Sequence, residues 1–259
     1  WLEELARFDH ARAQALAVEA SKPRGNSKAA AKALRDSRTA FLSAAALYGE
    51  FTQTFPEDPK TPQLTFLMAE SLNEAGQYAE AFRAYRRVAW DFAEETGTVP
   101  AEAIEAGYAA ILMAGQVQKR EKNPEQANLW LDRKTETSLR FADPWPTDRR
   151  ALPVQLDAAH NLFEQFRHAE TIAAAEKAAG WQPPPDAKQR RSILLLLGHS
   201  YFEIDNLSAA ETAYTQLLAG MVSNDPEYLN TRDRLQSSIY KQAEIILKQV
   251  HLTSDSMEF

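Results

Sequence analysis

The chain has 259 residues, 44% of them hydrophobic and 25% charged, the balance of a globular protein with apolar material for a sizeable core. Its 44 alanines against 9 glycines favour helix over sheet, and a formal charge of −7 offers no positive field for a nucleic acid backbone or an anionic lipid surface. The absence of cysteine excludes disulfides, thiolate metal sites and cysteine nucleophiles, and no window approaches 18 uninterrupted apolar residues, so no membrane span is expected.

The sequence opens at Trp1 inside an amphipathic pattern of Trp1, Leu2, Leu5, Phe8 and Leu16, and an opening without Met suggests that a leader or another domain precedes it. Punctuation then falls at Lys22-Pro23-Arg24-Gly25-Asn26, Phe55 to Pro62, Gly97 to Pro100, Asn123-Pro124, Asp143 to Pro146, Gly180 to Pro185 and Asn224-Asp225-Pro226. Between these breaks lie segments of roughly 12 to 20 residues with apolar positions three and four apart. Alternating strand patterns are missing, so the reading is about eleven or twelve helices and no sheet. Many helices of similar length, joined by short turns, predict stacked hairpins rather than a four-helix bundle.

A period supports this. Thr61 to Glu94 places Ala69, Gly76, Tyr78, Ala81 and Tyr85 at characteristic intervals, and Arg191 to Asn224 carries Leu194, Leu197, Gly198, Tyr201, Leu207, Ala210 and Tyr214 on the same template. Both stretches resemble the tetratricopeptide repeat, a unit of about 34 residues that folds as a helical hairpin. Weaker copies are read at Gly25 to Asp58 (Ala44, Tyr48, Phe51, Pro56), from Pro100 with Ala106-Gly107, and at Arg150 to Trp181 (Leu156, Phe166, Ala169). Phe55 to Pro59 and Phe141 to Pro144 read as one kind of exit turn from a second helix. Pro226 to Val250 sets Tyr228, Leu235, Ile239, Ala243, Ile246 and Val250 on one stripe and predicts a capping helix with a polar outer face. The expected fold is therefore all-α, a right-handed α-solenoid of about five tetratricopeptide-like hairpins with a C-terminal capping helix, one domain over 1–251 and a frayed tail over 252–259.

No catalytic motif appears: there is no Walker loop, no G-x-S-x-G and no H-E-x-x-H, and acidic pairs such as Glu94-Glu95 show no environment that would separate their pKa values. His160, Glu164 and His168 would converge on one helix face, but the repeat register puts a turn near Phe163 to Gln165 and splits them. The reading is a non-enzymatic chain with no catalytic residue, no cofactor and no metal.

Charge is unevenly distributed. Glu57 to Gly107 contains ten acidic and four basic residues, whereas Trp1 to Phe55 contains six acidic and eight basic ones, which suggests an acidic surface that steers a basic partner. The resemblance implies that first helices line the concave face, which makes Gln63, Phe66, Glu70, Asn73, Glu74, Ile104, Tyr108, Leu112, Asn161, His199, Phe202 and Glu203 the candidate partner-binding residues. Glu70 is read as exposed there, so that Glu70→Lys should leave folding intact. Tyr48, Trp90 and Trp130 are read as packing residues, and Trp145, between two prolines, as a loop aromatic that could meet a partner.

The function expected is a protein–protein interaction scaffold holding a peptide segment or partner protein on the concave face. The alternative is a helical accessory domain of a peptidoglycan- or glycan-acting enzyme whose catalytic part lies outside this sequence. No nucleic acid partner and no direct membrane span are expected, and a monomer is favoured. The exit Tyr48-x-x-Phe51-x-x-x-Phe55-Pro56 resembles tetratricopeptide-type proteins of bacterial envelopes, which implies envelope assembly and a periplasmic or envelope-associated location rather than a cytoplasmic one.

Overall fold

Twelve α-helices and one π-turn are the regular elements of the computed structural model, which describes residues 1–22 and 27–255; no strand occurs among these residues. They form five hairpins in chain order followed by one long helix. The hairpins are α1 (Leu2–Ser21) with α2 (Ser27–Thr54), α3 (Thr61–Ala75) with α4 (Tyr78–Arg86), α6 (Ala103–Arg120) with α7 (Pro124–Ala142), α8 (Ala151–Glu164) with α9 (His168–Ala179), and α10 (Ala187–Glu203) with α11 (Leu207–Ala219). The π-turn Arg87–Asp91 and α5 (Phe92–Thr96) prolong α4, and α12 (Tyr228–Asp255) ends the series. The chain divides into two compact units, Trp1–Thr137 and Ser138–Phe259.

Three hairpins turn alike. Gly76, Phe166 and Asp205 adopt φ of 83°, 60° and 58° between their helices, and each is followed by the N-cap residue of the next helix, Gln77, Arg167 or Asn206. Glycine takes this left-handed conformation without strain, and aspartate tolerates it better than a bulky aromatic does. These turns fix the repeat register, which sets Tyr85 and Tyr214 at one place and Ala69, Ala159 and Gly198 at another; all are buried. A Cβ built on Gly198 would lie 2.7 Å from Tyr214 Cε1, so this helix pair closes only around a residue without a side chain.

The π-turn has a packing reason. Val88, Ala89 and Trp90 are consecutive and all buried, with Phe92 buried beyond them. A regular helix turns successive residues about 100° apart, so the wider turn lets this run share one interior side.

Three lead-in turns repeat as well. Phe55-Pro56-Glu57-Asp58-Pro59-Lys60, Trp145-Pro146-Thr147-Asp148-Arg149-Arg150 and Val222-Ser223-Asn224-Asp225-Pro226-Glu227 precede α3, α8 and α12. In each the aspartate carboxylate accepts the backbone N–H two residues on, at 2.8, 2.8 and 2.9 Å, and the aspartate carbonyl accepts the N–H of the residue after that. This local bonding replaces the helical partners that the first turn lacks. The repeat differs from the expected one: Phe55 corresponds to Trp145 rather than to Phe141. Trp145 is half-buried, its ring 5.1 Å from that of Phe141, so it packs at the turn.

Other expectations are corrected. The weak copy at Gly25 to Asp58 holds no internal turn over its described part, because α2 runs unbroken from Ser27 to Thr54 and its hairpin partner is α1; residues 23–26 lie outside the described ones. In α1 the buried positions are Ala6 and Ala13, while Trp1, Leu5 and Phe8 are exposed, since alanine permits the close approach to α2 that larger residues would block. Phe166 stands in a turn at 81% exposure and is no core residue. On α12 the buried residues are Thr231 and Ser238, whereas Ile239 and Ile246 of the expected stripe are exposed, so the helix is rotated by somewhat less than one residue step from the predicted face. Its backbone continues past 251 to Asp255, and residues 256–259 of the expected tail lie outside the described ones.

Gly198→Leu should lower stability by about 1–3 kcal/mol through overpacking against Tyr214, whereas Gly115→Ala, whose Cβ would meet only Lys134 Cδ at 3.9 Å, should hold or raise the melting temperature; paired thermal melts decide it. Arg191 clamps Asp225 at 2.5 and 2.9 Å, and this hydrogen bonding holds the Asp225 carboxyl at about 2. A group that binds its proton more weakly when folded stabilises fully above its unfolded pKa and loses that contribution as pH falls through the folded value. Acid unfolding of Asp225→Asn should therefore differ from wild type most above about pH 4 and converge with it near pH 2.

Candidate functional site

In the first unit the candidates lie along α3. Spacings of three and four residues carry Gln63, Phe66, Glu70, Asn73 and Glu74 onto one side, with Gln63 and Glu74 exposed and the three between them half-buried. The partner helix of the hairpin fixes the middle of this row. Tyr85 is buried, its hydroxyl donates to the Glu70 carboxylate, and the Phe66 ring stands edge-on to it at 5.8 Å. Burial first, and then the bond to Glu70, pushes the Tyr85 phenol well above its usual range. Glu70 is therefore part of the hairpin, not the free groove residue expected from the sequence.

His10 joins the same neighbourhood from α1. Its Nδ1 is 3.1 Å from Ser71 Oγ, and its ring meets Phe41 and Tyr48 at 5.6 and 6.1 Å. Burial lowers its pKa, opposed by the Glu70 and Glu74 carboxylates. The spacing does not point to His10, because the repeat pattern in the sequence begins at Gly25 and leaves α1 outside it. On α6, Ile104 and Tyr108 are half-buried and Leu112 is exposed.

The second unit repeats the central bond with another residue. His199 Nδ1 is 2.9 Å from the Tyr214 hydroxyl, at the place that Glu70 and Tyr85 hold in the first unit. Burial pushes the Tyr214 phenol up to about 12; burial, then Arg234, pushes the His199 imidazole down. Phe163 lies 6.0 Å from the His199 ring. Phe202 is half-buried beneath two cations of α12, Lys241 at 4.3 Å and Arg234 at 5.6 Å from its ring centre, and Glu203 is exposed. Asn161 is half-buried, with its amide nitrogen buried and unpaired among the described residues.

His160 is exposed with Nε2 2.7 Å from Ser192 Oγ, and the turn Gln165 to Arg167 separates it from His168. Among the described residues no group of three or more His, Asp or Glu side chains could hold a metal ion, and no helix is long and apolar enough to cross a membrane.

An open cleft lies beside Gln63. It has a volume of about 530 Å³ and runs between the lead-in turn of α3 and the segment from α5 to α6. Phe92, Val99 and Pro56, Pro59, Pro62 and Pro100 make its apolar lining, and Glu57, Asp58 and Glu102 are its acidic lining residues. Its acidic residues fall within the acidic stretch Glu57 to Gly107. The cleft itself was not legible, because its walls come from segments about 40 residues apart.

No family model matches the chain, and no curated protein does. Solved structures do. A thermophilic tetratricopeptide protein from Thermus thermophilus is similar at 15% identity over 88% of this chain and 99% of its own, with a TM-score of 0.34. BtubC from P. vanneervenii is similar at 16% identity over 87% and 94%, also with a TM-score of 0.34. A de novo designed helical repeat protein is similar at 17% over 92% and 98%, with a TM-score of 0.23. These are likenesses at low identity; the class, a helical-repeat protein of tetratricopeptide-like hairpins, rests on the repeated turns and bonds of the chain itself.

The Tyr85–Glu70 bond gives a direct test. Tyr85→Phe should cost about 1–2 kcal/mol, and Glu70→Lys at least as much, since it leaves the phenol without its acceptor. Denaturant titration measures both, and a Glu70→Lys curve superimposed on wild type would return Glu70 to the exposed groove.

Proposed function

We propose that the chain is a non-enzymatic scaffold that binds a basic polypeptide segment along the α3 side of its first unit. The observation that carries this reading is the cleft of about 530 Å³ beside Gln63, whose lining combines proline, valine and phenylalanine with Glu57, Asp58 and Glu102. A lysine or arginine chain can lay its methylenes on proline and phenylalanine while its charge stays by Glu57 and Glu102. The exposed Glu74 extends the acidic surface along α3.

The mechanism is preorganisation. The Tyr85–Glu70 bond and the packing of Phe66 hold the helix face rigid before a partner arrives, so ordering entropy is lost mainly by the partner. Repeats suit such work because successive hairpins present side chains from separate stretches on a continuous surface. A role in envelope assembly and a periplasmic or envelope-associated location belong to the same proposal through the exit-turn resemblance.

Fluorescence anisotropy with labelled lysine- and arginine-rich peptides, beside acidic peptides of equal length, tests it. Basic peptides should bind, more weakly at higher salt, and the double charge reversal Glu57→Lys, Glu102→Lys should weaken them by at least about 10-fold with an unchanged melt. Equal binding of acidic peptides, or no effect of the reversal, would remove the cleft from the function.

A further inference from the structure

The last helix turns its polar side inward. Thr231 and Ser238 of α12 are buried, and Gln242 donates to the Leu207 carbonyl at 3.4 Å and to the Glu211 carboxylate at 2.8 Å. Tyr228 and Leu235 are half-buried, but most of its large apolar residues face outward: Leu229, Ile239, Tyr240, Ile246 and Leu247 are 58, 46, 66, 59 and 58% exposed. With about 100° between successive residues, these five fall with Gln236 and Ala243 on one stripe covering roughly a third of the helix. Exposing so much apolar surface while the most buried positions are a threonine and a serine is the reverse of what a terminal cap needs.

The stripe has a centre. Counted from Ala243, Tyr240 and Ile246 lie three residues away on either side, and Ile239 and Leu247 lie four away. Two copies of α12 laid antiparallel across Ala243 therefore set Ile239 against Leu247 of the second copy and Tyr240 against its Ile246. The small alanine sits at the crossing, where helix axes come closest. From Gln236 to Leu247 the stripe contains no charged residue.

Charge selects this arrangement over others. A parallel pair faces every residue with its own copy and sets Arg232 against Arg232. Sliding the antiparallel pair by seven residues sets Arg232 and Asp233 against Leu247 and Ile246. The area is adequate too: the exposed parts of Gln236, Ile239, Tyr240, Ala243, Ile246 and Leu247 amount to on the order of 500 Å² per copy, so pairing removes on the order of 1,000 Å², at the lower edge of specific interfaces.

We infer that the protein forms a two-fold symmetric dimer through α12, with the helices antiparallel and crossing at Ala243. This dimer departs from the monomer favoured by the sequence and is independent of the peptide reading, since the cleft belongs to the first unit and α12 to the second.

The chain contains no cysteine, so single cysteines report the contact without background. In the full chain under mild oxidation, Ala243→Cys should form a disulfide-linked dimer, while Leu229→Cys should not, because its two copies would lie about 42 Å apart along the pair. Sedimentation velocity at micromolar concentration should show wild type as a dimer. Ile246→Glu should raise the dimer dissociation constant at least 100-fold while leaving the circular dichroism melt unchanged, as expected of an exposed position. A wild type that stays monomeric at all concentrations and an Ala243→Cys variant that does not cross-link would overturn the inference. Cross-linking of Leu229→Cys as readily as Ala243→Cys would replace the antiparallel register with a parallel one, and an Ile246→Glu variant that remains dimeric would place the contact elsewhere.

Discussion

The close approach of a first helix to a buried tyrosine on the second is the contact on which three of the five hairpins depend, those of Tyr48, Tyr85 and Tyr214. At Gly198 the space is filled by Tyr214, which leaves no room for even a methyl group. Ala69 stands at the corresponding place in the earlier repeat and is wholly buried, and in the first hairpin Ala6 shares a core cluster with Tyr48. Small residue and tyrosine form one unit: the first lets the backbones meet, and the second supplies the apolar area that holds them together.

The tyrosine hydroxyl then needs a partner, since a buried polar group without one is costly. Glu70 accepts it in one hairpin, and His199 meets it in the other. Packing thus determines what the neighbouring helix face carries. A carboxylate or an imidazole is held at the same height, and the residues around it are left half-buried and ordered. The candidate surface is built from the core outward, and its open parts are those the core does not claim: Gln63, Glu74, Leu112 and Glu203.

Electrostatics refines this scaffold more than it stabilises it. The aspartates of the three lead-in turns bond locally and set the angle at which α3, α8 and α12 begin. Exposed ion pairs such as Lys60 with Glu3 and Arg83 with Glu80 contribute little to stability. They do shape which acidic groups remain for a partner: Glu57 and Glu102 border an apolar cleft, where a basic side chain finds both charge and contact area. At the C-terminal helix the logic inverts, because an apolar stripe lies outside and calls for an apolar partner of matching symmetry.

The amino-acid sequence determined the class of this protein. Alanine richness, spacing of three and four residues and proline-marked breaks gave five hairpins and a final helix, and the two strong repeats placed Gly198, Tyr214, Ala69 and Tyr85 correctly. Those features are local, or depend on self-similarity within one chain, so they are readable without coordinates. Tertiary structure alone decided which side of α1 and of α12 is buried, that α2 is one helix paired with α1, and that Glu70 belongs to a tyrosine. It also brought Pro56 and Val99 to one cleft. A helix with apolar residues on more than one side does not declare its inner face. That choice is made by the shape of the neighbouring helix, which admits Ala6 or Thr231 where the backbones are closest and turns the larger residues outward.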